Sequence, residues 1–412
     1  MSLIKTPVKG MPEKLPNDMA LREYVIRKIK DTYKKFGFML IETPIVEHIE
    51  NLTSKQGGEN EKLIFKILKR GEKLENSTGD DLCDCGLRYD LTLPLSRFYA
   101  NNKDNLPVPF KSLQIGESFR ADRPQKGRFR QFTQCDIDVL GDETYLAEIE
   151  LISATANMLE ELNITGIKVR VNDRAILRAL AQNCNFPEEQ WDTIFIILDK
   201  LDKIGIDGVK SQLLELGLDA DATTKYCKMF ENISQNVDCK TYLKQNNIQI
   251  DAGVVKNLSN IIASAQKLVG KDCKIVFDPT LVRGMSYYTG PIFEIELESY
   301  NLSVAGGGRY DEMVGKFCSQ KVCACGFSIG LERILSVISE NNLIKLDNGN
   351  ATAFLISKDV CIEKVQQIFE KANEMRKQGQ TVLVSPRKNN AKFQKEMLQK
   401  AGYSTIVDVY ND

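Results

Sequence analysis

At 412 residues, 42% of them hydrophobic and 27% charged, the chain has the make-up of a folded protein with room for two or three domains. A formal charge of −1 excludes a globally basic surface, so any nucleic-acid partner must be met by local basic patches. The single histidine, His48, excludes HExxH metal sites, Ser-His-Asp triads and Cys-His pairs built within one chain.

The elements can be taken in chain order. The opening MSLIKTPVKGMPEKLP has no apolar h-region, so no secretory signal is expected, and no later run has the length of a membrane span. Asn17-Asp18 suggests an N-cap for a helix with Leu21, Val25, Ile29 and Tyr33 on one face, closed at Gly37. Residues 38–42 read as a strand ending at Thr43-Pro44, and 55–85 as loops with a β-hairpin. Residues 91–99 are apolar-periodic; 112–118 and 132–139 read as paired strands, 148–162 as an amphipathic helix and 167–171 as a short strand.

From 174 to about 268 the pattern is almost wholly helical (ILRALAQ, IFIILDKLDKI, VKSQLLELG), as an inserted domain would be. Strand character returns at 274–277 and 292–297, and 327–338 reads as a helix. After the turn-rich 341–350, AFLIS, a helix over 361–378, TVLVS, a helix over 392–401 and STIVDV spell β-α-β-α-β, which implies a small, mostly parallel sheet. Eleven cysteines, an odd number without an export signal, point to reduced thiols and a cytoplasmic location. The Cys83-Cys85 and Cys318-Cys323-Cys325 spacings are poor for a zinc knuckle, so no metal site is expected.

With histidine chemistry largely gone, carboxylates, arginines, lysines and tyrosines remain, a set suited to phosphoryl or adenylyl transfer. Three clusters carry the case. FRADRPQKGRFRQF (119–132), between two predicted strands, places five cations in eleven residues around a Pro and a Gly. Such a loop can reach phosphates, or simply be a solvated hairpin tip. LVRGMSYYTG (281–290), followed by AGGGRYD (305–311), pairs glycines that permit close backbone approach with tyrosine hydroxyls; a tight hairpin over core tyrosines would look the same. GFSIGLER (326–333) sets glycines on a strand-to-helix transition one turn before Arg333, and helix–sheet packing explains that equally well. No GxxxxGK[ST] loop or Rossmann fingerprint is present.

Together and in this order, the clusters resemble the class II aminoacyl-tRNA synthetases, and within them the histidyl-tRNA synthetase family. The strand ending at Pro44 resembles motif 1, residues 119–132 motif 2 and 326–333 motif 3, while RYDLT (88–92), LVRGMSYYTG and GGGRYD resemble histidyl signatures. The resemblance runs from about residue 5 to residue 409. It implies an α+β fold: a class II synthetase-like antiparallel sheet flanked by helices, with a helical insertion and a small α/β C-terminal domain. The expected division is a catalytic core over 1–172 and 269–340, an insertion over 173–268, a linker over 341–350 and an anticodon-binding-like domain over 351–412.

The same resemblance implies a homodimeric histidine–tRNA ligase using L-histidine, ATP, Mg2+ and tRNA(His). Arg120 would bridge the α-phosphate and the histidine carboxylate, Arg333 would hold the γ-phosphate, and Arg283 would stabilise the transition state near the α-phosphate. Asp90, Thr92 and Gln134 would receive the α-ammonium, with Leu91 beside them. Asp138 and Tyr288 would grip the imidazole, with Tyr287 and Tyr310 lining the pocket. Asp122 and Arg128 would contact ATP, and Lys126, Arg128 and Arg130 the tRNA acceptor end; the insertion would clasp the acceptor stem and the C-terminal domain the anticodon.

Three departures stand out. Ser286 replaces the more usual Asp or Gly, Asp122 a commoner Glu, and the chain stops at Asp412, after the third C-terminal strand, which implies a shortened domain. That ending favours the rival reading, a non-catalytic histidine-binding paralogue acting as regulatory subunit of ATP phosphoribosyltransferase. The full set of motif arginines favours the enzyme.

Overall fold

The computed structural model describes residues 3–53, 58–125, 127–231, 233, 237–283, 287–300, 302–318, 320–346 and 351–411. The chain forms two compact units, one of residues 1–13 and 25–343 and one of 14–24 and 344–412.

In the first unit, β1 (Met39–Ile41) is followed by β2 (Val46–His48), β3 (Lys66–Leu68) and β4 (Cys83–Leu87). The last three form a small antiparallel sheet in the order β2-β4-β3, one strand more than the expected hairpin. Next come β5 (Phe110–Phe119), β6 (Gln131–Leu140), β7 (Ile167–Asp173), β8 (Cys273–Phe277), β9 (Pro291–Leu297), β10 (Leu302–Arg309) and β11 (Ala324–Gly330).

With β1 they build an eight-stranded sheet, ordered β1-β5-β6-β11-β10-β9-β7-β8. It is antiparallel from β5 to β7, whereas β1 and β8 join the two edges parallel to β5 and β7. A parallel neighbour needs a long crossover rather than a hairpin. Between β7 and β8 the entire helical block fills that role.

Within the block, Asp173, Asp219, Asp238 and Asp251 each accept a hydrogen bond from a first-turn N–H, at 2.7–3.0 Å. This is how a short acidic side chain starts a helix, satisfying donors that have no partner within it. Tyr226 is fully buried and meets the rings of Phe186 and Phe230 edge-on, with centroids 5.2 and 5.0 Å away. Trp191 opens the helix Trp191–Leu198 and donates its indole N–H to the Phe186 carbonyl at 3.0 Å.

The large sheet packs against the helix Leu146–Glu160, whose Leu151, Ile152, Ala154 and Met158 are fully buried along with Ile137, Val169, Phe293 and Ile295 of the strands. One expectation is corrected. Residues 327–330 are strand, and the helix runs only over Leu331–Glu340. Phe327, Ile329 and Leu331 repeat every second residue, and Leu331, Ile334 and Ile338 at helical spacing, so one apolar run served both periods.

The second unit holds a parallel sheet in the order β13-β12-β14: β12 (Ala351–Ile356), β13 (Thr381–Pro386) and β14 (Thr405–Val409). Its helices are Ile362–Lys377 and Ala391–Lys400, and its core gathers Phe354, Ala372, Val382 and Val409.

Candidate active site

A cavity of about 460 Å³ opens in the first unit, walled by β6, β10 and β11 and by the loop joining β5 to β6. Strand β6 sets its chemistry. Cys135, Ile137 and Val139 face one way into the apolar core, so the alternation of a strand turns Gln134, Asp136 and Asp138 to the opposite face. All three line the cavity.

Gln134 donates to Ser328 Oγ at 2.9 Å, and Tyr310 donates its hydroxyl to Asp138 Oδ1 at 2.6 Å. Gln134 Oε1, Asp136 Oδ1 and Asp138 Oδ2 are buried acceptors without a hydrogen-bond partner among the described residues. Buried acceptors in this condition favour a ligand rich in N–H donors. Burial raises the Asp138 carboxyl to about 7 despite the Tyr310 hydrogen bond, and burial beside Asp138 pushes Asp136 well above the ordinary carboxylate range.

Asp90 lies on the same side. Its Oδ1 accepts from the N–H groups of Thr92 (3.1 Å) and Leu93 (3.2 Å), so the side chain that faces the cavity also starts the helix Thr92–Asn102. Burial raises its pKa. Tyr287, Tyr288 and Tyr310 line the cavity as well; the ring of Tyr287 lies 4.8 Å from that of Tyr288 and 6.1 Å from that of Tyr310.

The cavity also carries four arginines. Arg120, just beyond β5, has its guanidinium between the Tyr89 ring (4.2 Å) and the Phe132 ring (5.0 Å), and donates from Nε to the Tyr89 carbonyl at 3.2 Å. Arg128, Arg283 and Arg333 line the same cavity. Burial lowers the Arg333 pKa, and the positive charges of Arg128, Arg283 and Arg120 lower it further. Arginines gathered within reach of one another favour an anionic ligand, above all one with several phosphates.

Two glycines explain why the motifs need that residue. A Cβ on Gly326, which pairs with Asp138 across the sheet, would fall 1.9 Å from Asp138 Oδ1. A Cβ on Gly306 would fall 1.9 Å from Arg283 Nη2. Each glycine leaves the space that the Asp138 or Arg283 side chain fills.

Most of the residues expected from sequence therefore meet around one cavity: Asp90, Thr92, Arg120, Asp122, Arg128, Gln134, Asp138, Arg283, Tyr287, Tyr288, Tyr310 and Arg333. Two do not. Leu91 is buried behind the wall, its carbonyl accepting from Gln114 Nε2 at 3.1 Å. Arg130 turns its Nε to the Asp122 carbonyl at 3.0 Å and its backbone N–H to Gly10 at 2.8 Å, bracing the loop instead of lining the cavity. Lys126 and Ser286 lie outside the described residues. Sequence reasoning missed Asp136, although its place between Gln134 and Asp138 in a period of two was the available signal.

Residues 10–334 match the family model described as histidyl-tRNA synthetase. The chain belongs to the histidyl-tRNA synthetase family. Among its relatives, the histidine–tRNA ligase of Leifsonia xyli is 44% identical over 345 residues, covering 81% of this chain and 80% of that protein. That of Bacteroides fragilis is 36% identical, covering 84% and 79%. That of Porphyromonas gingivalis is 33% identical, covering 94% and 88%. The crystal structure of histidyl-tRNA synthetase from Nostoc superposes with a TM-score of 0.78 at 27% identity, covering 99% of this chain and 92% of that one. A protein from Bacillus halodurans, described as an ATP phosphoribosyltransferase regulatory subunit/histidyl-tRNA synthetase, shares the fold with a TM-score of 0.76 at 19% identity, covering all of both chains. The family's fold is thus the mixed α/β architecture described above, with the polar cavity against its central antiparallel strands.

Proposed function

We propose that the chain is a histidine–tRNA ligase that activates L-histidine with ATP and transfers it to tRNA(His). The lining of the cavity carries this reading: unpartnered buried acceptors and four arginines in one cavity suit a donor-rich amino acid beside a polyphosphate.

Asp138 and Tyr288 take the imidazole, and Asp90, Thr92 and Gln134 the α-ammonium. A side chain unable to satisfy those acceptors leaves them buried and unpaired, which is a strong basis for rejection. Arg120 holds the histidine carboxylate beside the α-phosphate, because it lies within electrostatic reach of Asp90, Asp136 and Arg333. A carboxylate oxygen bonds to the α-phosphorus while the bond to the bridging oxygen breaks and pyrophosphate leaves. Arg283 and Arg333 offset the charge on the phosphates, with Asp122 and Arg128 contacting the nucleotide. In the second step a hydroxyl oxygen of the terminal tRNA ribose bonds to the histidyl carbonyl carbon, its proton passes to water, and the bond to the phosphate oxygen breaks so that AMP departs.

Mg2+ suits this site as an ion carried by ATP. Among the described residues no three His, Cys, Asp or Glu side chains are grouped to hold a metal, and Glu332 is the glutamate in the cavity wall that would add a ligand to it. An ion bound there would neutralise phosphate charge.

Lys126, Arg128 and Arg130 meet the tRNA acceptor end, the helical block clasps the acceptor stem and the second unit faces the anticodon. A homodimer is part of the same reading, and Met39, Leu40, Ile45 and Val46 are each exposed in the segment that resembles motif 1. No helix among the described residues is long and apolar enough to cross a membrane. All eleven cysteines are free.

The regulatory-paralogue reading leaves the four arginines of the cavity without a use. ATP–pyrophosphate exchange, screened over the standard amino acids without tRNA, decides between the two. Exchange with histidine alone supports the ligase, and histidine binding without exchange supports the paralogue.

A further inference from the structure

Arg283 occupies left-handed backbone, at a φ of 51° that a side chain as large as arginine rarely adopts. Its guanidinium is held by three acceptors, the longest contact being Nη2 to Ser303 Oγ at 3.4 Å. Nη2 lies 2.6 Å from Glu294 Oε2 and donates to the Ala305 carbonyl at 2.9 Å. Glu294 is itself fixed: Ser303 donates to Oε2 at 2.8 Å, and Arg170 Nη1 to Oε1 at 3.2 Å.

Arg170 stands directly opposite Glu294 in the β7–β9 register. It also pairs with Asp278 at 2.6 Å, and with Asp202 of the helical block at 3.7 Å. Asp199, closing the helix Trp191–Leu198 of that block, lies within electrostatic reach of both Arg283 and Arg170. Charges therefore alternate from the block to the cavity: Asp202, Arg170, Glu294, Arg283. The inner pair is largely withdrawn from solvent, with side-chain exposures of 26% for Arg283 and 15% for Glu294, so screening is weak there.

We propose that Glu294 is the positioning residue for Arg283 and that, through Arg170, it couples the aim of that arginine to the placement of the helical block. The inference rests on the reading of Arg283 as the group that stabilises the transition state. Glu294 touches no reacting atom; it acts by fixing where the guanidinium points. Without the carboxylate, only the uncharged Ala305 carbonyl (2.9 Å) and Ser303 Oγ (3.4 Å) are left to hold Arg283, and small misplacements of a catalytic group are expensive in rate.

The test is histidine-dependent ATP–pyrophosphate exchange on the full-length chain. Glu294→Gln keeps polar atoms for Ser303 and Arg170 and should fold, with a thermal midpoint close to that of the parent. We expect kcat to fall about tenfold while KM for histidine stays within about twofold. In the slow Arg283→Ala background the same change should have almost no effect, because the residue through which it acts is gone. Should Glu294→Gln fold poorly, Glu294→Asp keeps the charge, withdraws it by one methylene and should show the same split.

At the outer end, Asp202→Asn, at a site 78% exposed, should lower kcat about twofold, and this loss should vanish in the Glu294→Gln background. An unchanged kcat in Glu294→Gln, or an equal further loss on top of Arg283→Ala, would overturn the positioning role. An Asp202→Asn loss that persists without Glu294 would overturn the link to the block. A parent chain silent with every amino acid would instead defeat the ligase reading itself.

Discussion

Asp138 holds its proton to about pH 7 in the ligand-free protein because burial outweighs the hydrogen bond from Tyr310. Its folded value lies above the unfolded one, near 3.8, so its contribution to stability is present at acid pH and lost as pH rises through about 7. Urea titrations of the free protein between about pH 4 and about pH 7.5 should show stability falling more steeply than in Asp138→Asn. The same substitution should weaken histidine binding roughly ten- to a hundredfold by calorimetry and leave ATP affinity nearly unchanged. Arg120→Lys keeps the charge but loses both the planar fork and the stacking between Tyr89 and Phe132. Its exchange rate should drop about a hundredfold, and retention of the parent rate would remove Arg120 from the reaction. Sequence motifs gave the identity of these residues but not their partners. Nothing local tells that Tyr310 rather than Tyr288 would take Asp138 Oδ1, since they come together only when β10, β11 and β6 are laid side by side.

Strands and helices differed in how well the sequence announced them. The helical block was legible because amphipathic spacing and its Asp caps are written within each short segment. Strand β11 was not, because its apolar residues fit both periods and because Gly326, a poor strand former, is demanded by Asp138 of the neighbouring strand. Gly326→Ala tests that demand. The added methyl meets Asp138 Oδ1 in a packed wall, so the variant should lose about 1–3 kcal/mol of stability by denaturant unfolding. Histidine affinity should fall with it. Strands β1 and β8 were legible as strands, but their parallel pairing at the edges was not, since pairing partners far apart in sequence leave no local trace.

For the whole molecule, a net charge of −1 means that RNA is not drawn in by a general field. Affinity for tRNA should instead reflect a few local phosphate contacts, and Arg128→Ala should reduce the slope of log affinity against log salt by about one. An unchanged slope would place Arg128 away from the RNA backbone. The position of the single tryptophan has a different, practical consequence. Trp191 sits at the start of a helix in the block, with its indole N–H held by a backbone carbonyl. Fluorescence excited at the red edge, where tyrosine is dark, therefore reports on that region alone. A melting curve followed by tryptophan emission would be blind to the second unit, whereas changes in the block would register as a shift in colour without any label.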